Sequence, residues 1–354
     1  MSFKRLDPED FLISADSITA GAWSGNSPSI TTFFTSSVQE AGSSGDYYLN
    51  VYSENPDTSN TASVEFAVAF GDSAGSGSIL YDPGQNGKSP SSTVFGQFQN
   101  IVLGDENNNF IFGGVTPVTQ SFFALSVERS KYKGSIFPGT MNLVLSSSAG
   151  FITLTDNSRD VSTTVFNEAG RVFQLVSGSN GNAIGDGDTP ASAVSNGMTI
   201  SGSYGLFLPD IGCLLLNAPA LELPEADGGI ALDVGYQSNG DDDNNRAIFE
   251  VVSGSGAIGN GKANFLLNSQ ENITSDFLFI RARNSEYNYS ENPSFISGST
   301  GEVLYTNFIN APQTFITSVG LYNDANELLA VAKLSKPLKK DFTKEALVRV
   351  KLDF

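Results

Sequence analysis

The stretch GQNGKS at residues 84–89 has the glycines, lysine and serine that end a phosphate-binding loop. Such a loop directs backbone N–H groups and a helix N-terminus at the phosphate. This sequence departs from the pattern, because Asp82 occupies the place of the first glycine. In addition, Pro90 forces an extended conformation on Ser89, where the loop requires a helix. We therefore expect a glycine turn that leads into a strand, STVFGQF.

A second stretch, GDSAG at residues 71–75, fits the Gly-x-Ser-x-Gly turn of hydrolases, in which Ser73 would be the nucleophile. A serine nucleophile needs a neighbouring base, most often an imidazole, to accept its proton. The chain contains no histidine, and the residues after the motif alternate like a strand where a helix is required. We interpret the stretch as a turn and predict no catalytic residue.

Residues 254–259, GSGAIG, match the Gly-x-Gly-x-x-Gly pattern of dinucleotide-binding proteins and follow an apparent strand, IFEVV. A dinucleotide site needs a helix that starts within the motif and a parallel sheet around it. The next residues, NGKANFLLNS, predict neither a long helix nor a strand–helix–strand unit. We expect a loop here and no bound cofactor.

Two acidic clusters, Asp186 with Asp188 and residues 241–243 beside Asn244, could gather oxygen ligands around Ca²⁺. Neither has the glutamate that closes a calcium-binding loop of the helix–loop–helix type. We favour solvated turns and predict no metal site, with calcium binding as the alternative. Paired carboxylates also hydrolyse glycosides, but Trp23 is the only tryptophan available to line such a site, and we expect it in a core or interface.

Composition restricts the function further. Without histidine, the chain lacks the commonest general base and metal ligand. Cys213 is the only cysteine, so no intrachain disulfide can form, and its apolar neighbours place it in the core. The net charge of −19 repels nucleic acid and anionic lipid, so we predict neither as a partner. We also find no signal peptide pattern and no membrane span.

Alternation of apolar and polar residues dominates the chain, and Gly, Asn and Asp fill the intervening turns. We predict an all-β fold of one or more antiparallel β-sandwich-like domains with very little helix. The predicted strands include SVEFAVAFG (63–71), SFFALSVERS (121–130), MNLVLSS (141–147), RVFQLVSG (171–178), RAIFEVVSG (246–254) and DFLFIRARN (276–284). Two short helices are predicted in DPEDF (7–11) and FTKEALVRV (342–350).

A change in composition suggests a boundary near residue 150. It would separate an N-terminal β domain, residues 1–150, from a C-terminal β domain, residues 151–354. The phrase VFQLVSGSNG from Val172 returns as IFEVVSGSG from Ile248, so an internal duplication and coincidence both remain open.

The segment 333–354 is basic, with seven Lys and Arg against three Asp and Glu, so it carries +4 while the rest carries −23. Before it, YNDANE at residues 322–327 predicts a hairpin turn between apolar strands. Lysines on an exposed edge strand commonly prevent sheet aggregation, but here they could also dock on an acidic partner. The candidate interface residues are Lys333, Lys336, Lys339 and Lys340.

Four segments resemble virion structural proteins of large contractile-tailed phages, notably those that infect marine cyanobacteria. They are FKRLDPEDFLISADSITAGAW, GKSPSSTVFGQFQNIVLGDENNNFIF, YGLFLPDIGCLLLN and FITSVGLYNDANELLAVAKLSKPLKKDFTKEALVRVKLDF. The resemblance implies a particle component without enzymatic activity, assembled in the host cytoplasm and located in the virion.

The leading hypothesis is a tail-associated structural protein, at the baseplate or neck, whose partners are other virion proteins and copies of itself. The alternative is a receptor-binding fibre or capsid-decorating protein that binds host surface glycan. The chain shows no short regular repeat of the kind that fibre shafts contain, which disfavours the alternative. A hydrolase is disfavoured by the missing histidine.

Overall fold

The computed structural model describes residues 4–36, 47–78, 89–112, 120–162, 164–184, 204–235, 243–255, 261–290 and 292–353. It is 43% strand and 16% helix with large antiparallel sheets, which confirms the all-β class. The strands are β1 (Phe11–Gly21), β2 (Ser29–Ile30), β3 (Leu49–Tyr52), β4 (Val64–Asp72), β5 (Ser121–Val127), β6 (Ser135–Ile136), β7 (Asn142–Ser146), β8 (Phe151–Asp156), β9 (Val165–Asn167), β10 (Gly170–Ser179), β11 (Asn182–Ala183), β12 (Gly205–Leu208), β13 (Cys213–Asn217), β14 (Asn264–Leu266), β15 (Asn268–Ala282), β16 (Thr314–Tyr322), β17 (Leu328–Lys340) and β18 (Ala346–Asp353).

The helices are short and connect strands or cover the sheet. They are α1 (Pro90–Phe98), α2 (Ala218–Glu222), α3 (Asp243–Ser253) and α4 (Thr306–Asn310). A π-helical segment, Gln99–Leu103, continues α1, and 3₁₀ turns occur at Pro8–Asp10, Ser24–Asn26, Arg129–Lys131 and Glu225–Asp227.

Two compact units divide the chain: unit 1 contains residues 1–17 and 272–354, and unit 2 contains residues 18–271. The boundary expected near residue 150 does not separate them. Gly150 lies in the tight turn between β7 and β8, where its backbone exchanges hydrogen bonds with that of Ser147. The polar, small residues at this point therefore make a hairpin turn, and the two ends of the chain belong to the same unit.

Unit 2 is built on one curled sheet of twelve strands. Its order is β2-β14-β7-β8-β10-β12-β13-β5-β4-β3, and β9 and β11 pair with β10 beside this path. At its centre, Leu125 of β5 lies opposite both Leu214 of β13 and Val68 of β4. Neighbouring strands are antiparallel here, so short turns suffice to connect many of them.

Both faces of this sheet are covered. Along β5, Phe123 and Leu125 belong to one hydrophobic cluster while Phe122 and Ala124 belong to another, because successive side chains point to opposite faces. Helix α3 packs into the first cluster and α1 into the second. An apolar run such as SFFAL is therefore buried on both sides, as expected for a strand between two covering layers.

Trp23 and Cys213 both lie in this core, as predicted. The Trp23 ring stands 5.0 Å from that of Phe265, and its Nε1–H donates to the Phe265 carbonyl oxygen at 2.8 Å. A tryptophan held in this way is not available as an exposed platform for a sugar. The Cys213 thiol is buried 3.4 Å from Ser126 Oγ, and burial raises its pKa.

Two predicted strands are helices. The segment STVFGQF forms most of α1, because Ser89 caps the helix and Pro90 takes its first position. The segment RAIFEVVSG forms the end of α3. In α1, Val94 and Phe98 are four residues apart and lie on one side, a spacing that short alternating runs can imitate. Since VFQLVSGSNG is a strand and IFEVVSGSG is a helix, the repeated phrase does not mark a duplicated structural unit.

The remaining predicted strands are confirmed as β4, β5, β7, β10 and β15. The short helix predicted in DPEDF is the 3₁₀ turn Pro8–Asp10. The helix predicted in FTKEALVRV is wrong, because Ala346–Asp353 is β18 and pairs along β15 from Ser275 to Ala282. Its residues alternate between buried and exposed positions, and this period-2 pattern outweighed the helical propensity of its first residues.

Replacement of Ser89 by Ala should destabilise unit 2 by about 1 kcal/mol, because a helix loses its capping acceptor. Ser89 Oγ accepts the backbone N–H of Ser92 at 3.4 Å. Urea unfolding would measure the change. Gln97→Ala is the control, since Gln97 is exposed in the same helix. Equal stability of the two variants would contradict the capping role.

Candidate assembly surface

The stretch that imitates a phosphate-binding loop ends in a helix cap. Ser89 is extended, with φ −85° and ψ 154°, as Pro90 predicted. Its hydroxyl is committed to the first turn of α1 and to a buried contact 3.5 Å from Ser91 Oγ. Residues 84–88 lie outside the described residues. The described end of the stretch thus serves the helix.

Ser73 lies exposed in the turn after β4, as the sequence predicted. The turn is held by its neighbour Asp72, whose Oδ1 accepts the N–H groups of Ala74 and Ser76 at 3.0 and 2.9 Å. Burial raises the pKa of Asp72, although the hydrogen bonds from Ser76, Ala74 and Gly75 oppose the rise. The carboxylate therefore has a structural role in shaping the turn.

Gly254 ends α3 with a positive φ of 62°, so its motif follows a helix where we expected a strand. A Cβ at this position would lie 2.4 Å from the Lys262 carbonyl oxygen. Glycine is therefore required by the helix end and by the close approach of the returning chain. Residues 256–260 lie outside the described residues.

Most of the two acidic clusters lies outside the described residues: Asp186, Asp188, Asp241, Asp242 and the side chain of Asp243. Asn244 is described and buried, and it holds two loops together. Its Nδ2 donates to the Gly77 carbonyl oxygen at 2.8 Å, and its Oδ1 accepts the Gly235 N–H at 3.0 Å. Among the described residues, no group of three or more acidic or sulfur side chains is arranged to hold a metal ion.

A polar cluster that the sequence did not reveal lies at the start of β4. Lys131 Nζ lies 2.6 Å from Ser24 Oγ, 2.7 Å from Ser63 Oγ and 3.2 Å from Glu65 Oε2. Serine–lysine pairs serve as nucleophile and base in some hydrolases. Here the three N–H donors of the ammonium match three oxygens, and the Glu65 carboxylate also accepts Ser53 Oγ at 2.7 Å. The arrangement is a clamp between loops in which the Glu65 carboxylate is buried and the two serines are exposed.

The one feature of the sequence that indicates this clamp is Glu65. It interrupts the apolar run of β4, and its side chain is fully buried. Because an acidic side chain is rarely buried without a partner, its position in a strand covered on both faces predicts a nearby cation. The sequence does not say which of the basic residues supplies it.

The predicted interface lysines divide into two groups. Lys333, Lys336 and Lys339 are exposed on β17, in agreement with an edge strand. Lys340 is fully buried, so its assignment to an exposed interface is wrong. Its Nζ donates to the Asn284 carbonyl oxygen at 3.0 Å, to Asn288 Oδ1 at 3.0 Å and to its neighbour Asp341's carbonyl oxygen at 3.1 Å. Lys340 therefore anchors the end of β17 to the loop after β15.

The hairpin that carries these lysines has the predicted turn. Strands β16 and β17 form a sheet of their own, with Val319 opposite Ala332. Asn323 Oδ1 accepts the Glu327 N–H at 2.8 Å, and Asn326 takes a positive φ of 63°. The asparagines thus perform the roles that turn chemistry assigns them.

Unit 1 buries little of its apolar material. Its buried apolar side chains, among the described residues, are Leu278, Ala282, Ala346 and Val350, which form two directly opposed pairs on β15 and β18. Sixteen large apolar side chains in the described part of unit 1 are exposed. They are Phe11, Leu12, Ile13, Tyr287, Tyr289, Phe295, Leu304, Tyr305, Ile309, Phe315, Tyr322, Leu328, Leu329, Val331, Phe342 and Leu347.

We call these sixteen side chains the apolar set of unit 1. Both large hydrophobic clusters of the described chain consist of unit 2 residues. Soluble monomers expose single apolar side chains freely, but dense groups of them mark sites of interaction. The apolar set and the three exposed lysines make unit 1 the candidate assembly surface.

Comparison with known proteins finds no matching family model, no similar curated protein and no similar solved structure. No helix in the described part of the chain is long and apolar enough to cross a membrane. The surfaces that the fold exposes are therefore the evidence for function.

Replacement of Lys131 by Met should destabilise the protein by about 3–5 kcal/mol, because it leaves the buried Glu65 carboxylate without its countercharge. The double variant Lys131→Met/Glu65→Gln should lose less than Lys131→Met alone. Lys133→Met is the matched control, since Lys133 pairs with Glu271 at 2.9 Å on the surface. Urea unfolding measures all three, and a Lys131→Met variant as stable as the control would contradict the clamp.

Replacement of Lys340 by Ala should cost about 1–3 kcal/mol, because the buried Asn288 side chain and two part-buried carbonyl contacts lose their donor. Lys339→Ala, which changes the exposed neighbour, should leave stability unchanged. Hydrogen exchange of the β17 and β18 amides would report the loss within unit 1. If both variants exchange at the wild-type rate, the anchoring role of Lys340 is wrong.

Proposed function

We propose that this protein is a non-enzymatic structural subunit of a tailed-phage virion, associated with the tail at the baseplate or neck. The observation that carries the assembly role is the apolar set of unit 1. The resemblance of four segments to virion proteins of contractile-tailed phages supports the place of assembly. Its partners are then other virion proteins, including copies of itself, and it acts in the assembled particle.

The energetic argument for assembly starts from the cost of exposed apolar surface. Burial of one large apolar side chain is worth about 1.5–3 kcal/mol relative to its exposure. Unit 1 retains Phe315, Leu329 and Val331 in water on one hairpin alone, with 60%, 68% and 62% of their surface accessible. A partner that covers even part of this surface therefore gains a large favourable term, which can offset the cost of association.

Two of the four segments that resemble virion proteins overlap unit 1, and the other two lie in unit 2. Residues 3–23 include β1, and residues 315–354 include most of β16 and all of β17 and β18. Residues from both ends of the chain thus contribute to unit 1. This overlap supports a role in assembly for the two terminal segments.

The structural positions of the residues in the catalytic-looking motifs support a non-enzymatic role. Ser89 caps a helix, Gly254 ends one, and Ser73 lies in a turn that is held by Asp72. In the serine–lysine cluster, Lys131 forms an ion pair with Glu65. The Ser89 hydroxyl and the Lys131 ammonium thus have partners within the fold that account for their positions.

We predict that the triple variant Phe315→Ser/Leu329→Ser/Val331→Thr folds but is depleted at least tenfold from purified particles. The wild-type chain should be present at a fixed copy number, and quantitative mass spectrometry of the particles measures both. The control is Val165→Thr/Phe166→Ser in β9 of unit 2, which removes two side chains of similar exposure.

The control should enter particles at the wild-type level. Circular dichroism establishes that both variants retain the sheet. Wild-type amounts of the triple variant in particles would contradict the proposed assembly surface. Absence of the wild-type chain from the particles would contradict the virion role altogether.

A further inference from the structure

The two free edges of the hairpin in unit 1 differ in their chemistry. Strand β17 carries Lys333, Lys336, Lys339 and Pro337 at its exposed positions. Charged residues and proline on an edge strand oppose pairing with another strand. Strand β16 reads TFITSVGLY, with no charged residue and no proline. One edge is therefore protected against pairing, and the other is not.

The irregularity of the hairpin reinforces this asymmetry. The register shifts between Ile316 and Ser318, which lie opposite Leu338 and Lys333. Residues 334–337 of β17 thus face the single residue Thr317, so the extra residues lie in β17. Such bulges bend a strand and interrupt its pairing edge. Because the extra residues lie in β17, the pairing edge of β16 stays more regular than that of β17.

The hairpin also has too few strands to be stable by itself. It forms a two-stranded sheet, and no other described strand joins it. An isolated two-stranded sheet is marginal in water, and three or more strands with an apolar face are needed for independent stability. The most covered of the large apolar side chains on β16, Ile316, Val319 and Leu321, are only half-buried. Added strands beside β16 would supply what this sheet is missing.

We propose that β16 of one copy pairs antiparallel with β16 of a second copy across a two-fold axis, so that two hairpins form one four-stranded sheet. An uncharged strand suits such a contact, because each strand then pairs with an identical strand, and like charges on the two would repel each other. This inference rests on the proposed function, since both assign assembly to unit 1. It adds the partner and the pairing strand.

Charge along the hairpin favours a second copy as the occupant. Asp324 and Glu327 lie at the turn, whereas Lys339 lies opposite Phe315 at the other end. In the antiparallel pair, the acidic turn of each copy approaches the lysine-bearing end of the other. The complementarity is reciprocal, as a two-fold contact requires.

The distribution of charge between the units agrees with this choice. Unit 1 has 11 Lys and Arg against 13 Asp and Glu, a net of −2, and unit 2 has 8 against 25, a net of −17. Two copies that met through their unit 2 surfaces would repel each other strongly. A contact through unit 1 brings together nearly neutral surfaces.

The test uses the full chain and sedimentation velocity over a range of concentrations. We expect the wild-type chain to be a dimer, and Thr317→Lys to raise the dissociation constant at least tenfold, because two lysines then lie near the axis. Thr317→Glu should have the same effect. An equimolar mixture of the Lys and Glu variants should dimerise again, because each charge then meets its opposite.

Ser335→Lys is the matched control, since it adds the same charge to the exposed, protected strand β17 and should leave the dimer intact. A monomeric wild-type chain would overturn the proposal. So would undiminished dimers of both Thr317 variants, or a mixture that stays monomeric while each variant retains its circular dichroism spectrum.

The outcomes separate this inference from the proposed function. If the wild-type chain is monomeric but the apolar triple variant is lost from particles, the pairing of β16 is wrong and the virion role stands. If β16 pairs as proposed but the apolar triple variant enters particles normally, the virion assembly role is wrong and the dimer stands.

Discussion

A sheet with apolar side chains on both faces must be covered on both, and the two units of this chain meet that requirement differently. Unit 2 covers its twelve-stranded sheet with α1 on one face and α3 on the other, together with the curl of the sheet itself. Unit 1 has four buried apolar side chains in its described residues and leaves sixteen large ones exposed. The proposed function rests on this inequality in burial, because a partner molecule would supply the cover that unit 1 lacks.

Polar side chains in this protein mainly hold backbone segments in place. The buried carboxylate of Asp156 accepts the Gly139 N–H with both oxygens, at 2.8 and 2.9 Å, and burial raises its pKa against these hydrogen bonds. Its ionised form is therefore disfavoured in the folded state, and its contribution to stability falls as the pH rises through the raised pKa. Lys340 and the Glu65–Lys131 pair serve the same purpose at other loops. Catalytic-looking side chains such as Ser89 and Lys131 are thus engaged in contacts that hold the fold together.

The sequence predicted the strands of unit 2 because their alternation and their glycine and asparagine turns are local signals. It did not predict α1, although Ser89-Pro90 is a capping pair, because VFGQF also alternates like a strand. It placed a boundary near residue 150 because composition cannot show that the two ends of the chain meet in one unit. Lys340 was misplaced for a related reason: two of its three acceptors, on Asn284 and Asn288, are far away in sequence. Structural features that depend on long-range contacts could not be predicted from the local sequence pattern.

The central claim is that unit 1 gains its protection from a partner. Hydrogen exchange, measured on the dilute chain and on the chain in its assembled state, tests it most directly. The account predicts that amides of β16 and β17 exchange fast in the dilute chain and at least a hundredfold more slowly on assembly, while those of β4 and β5 stay slow in both. Equal exchange of the β16 and β17 amides in the two states would contradict it.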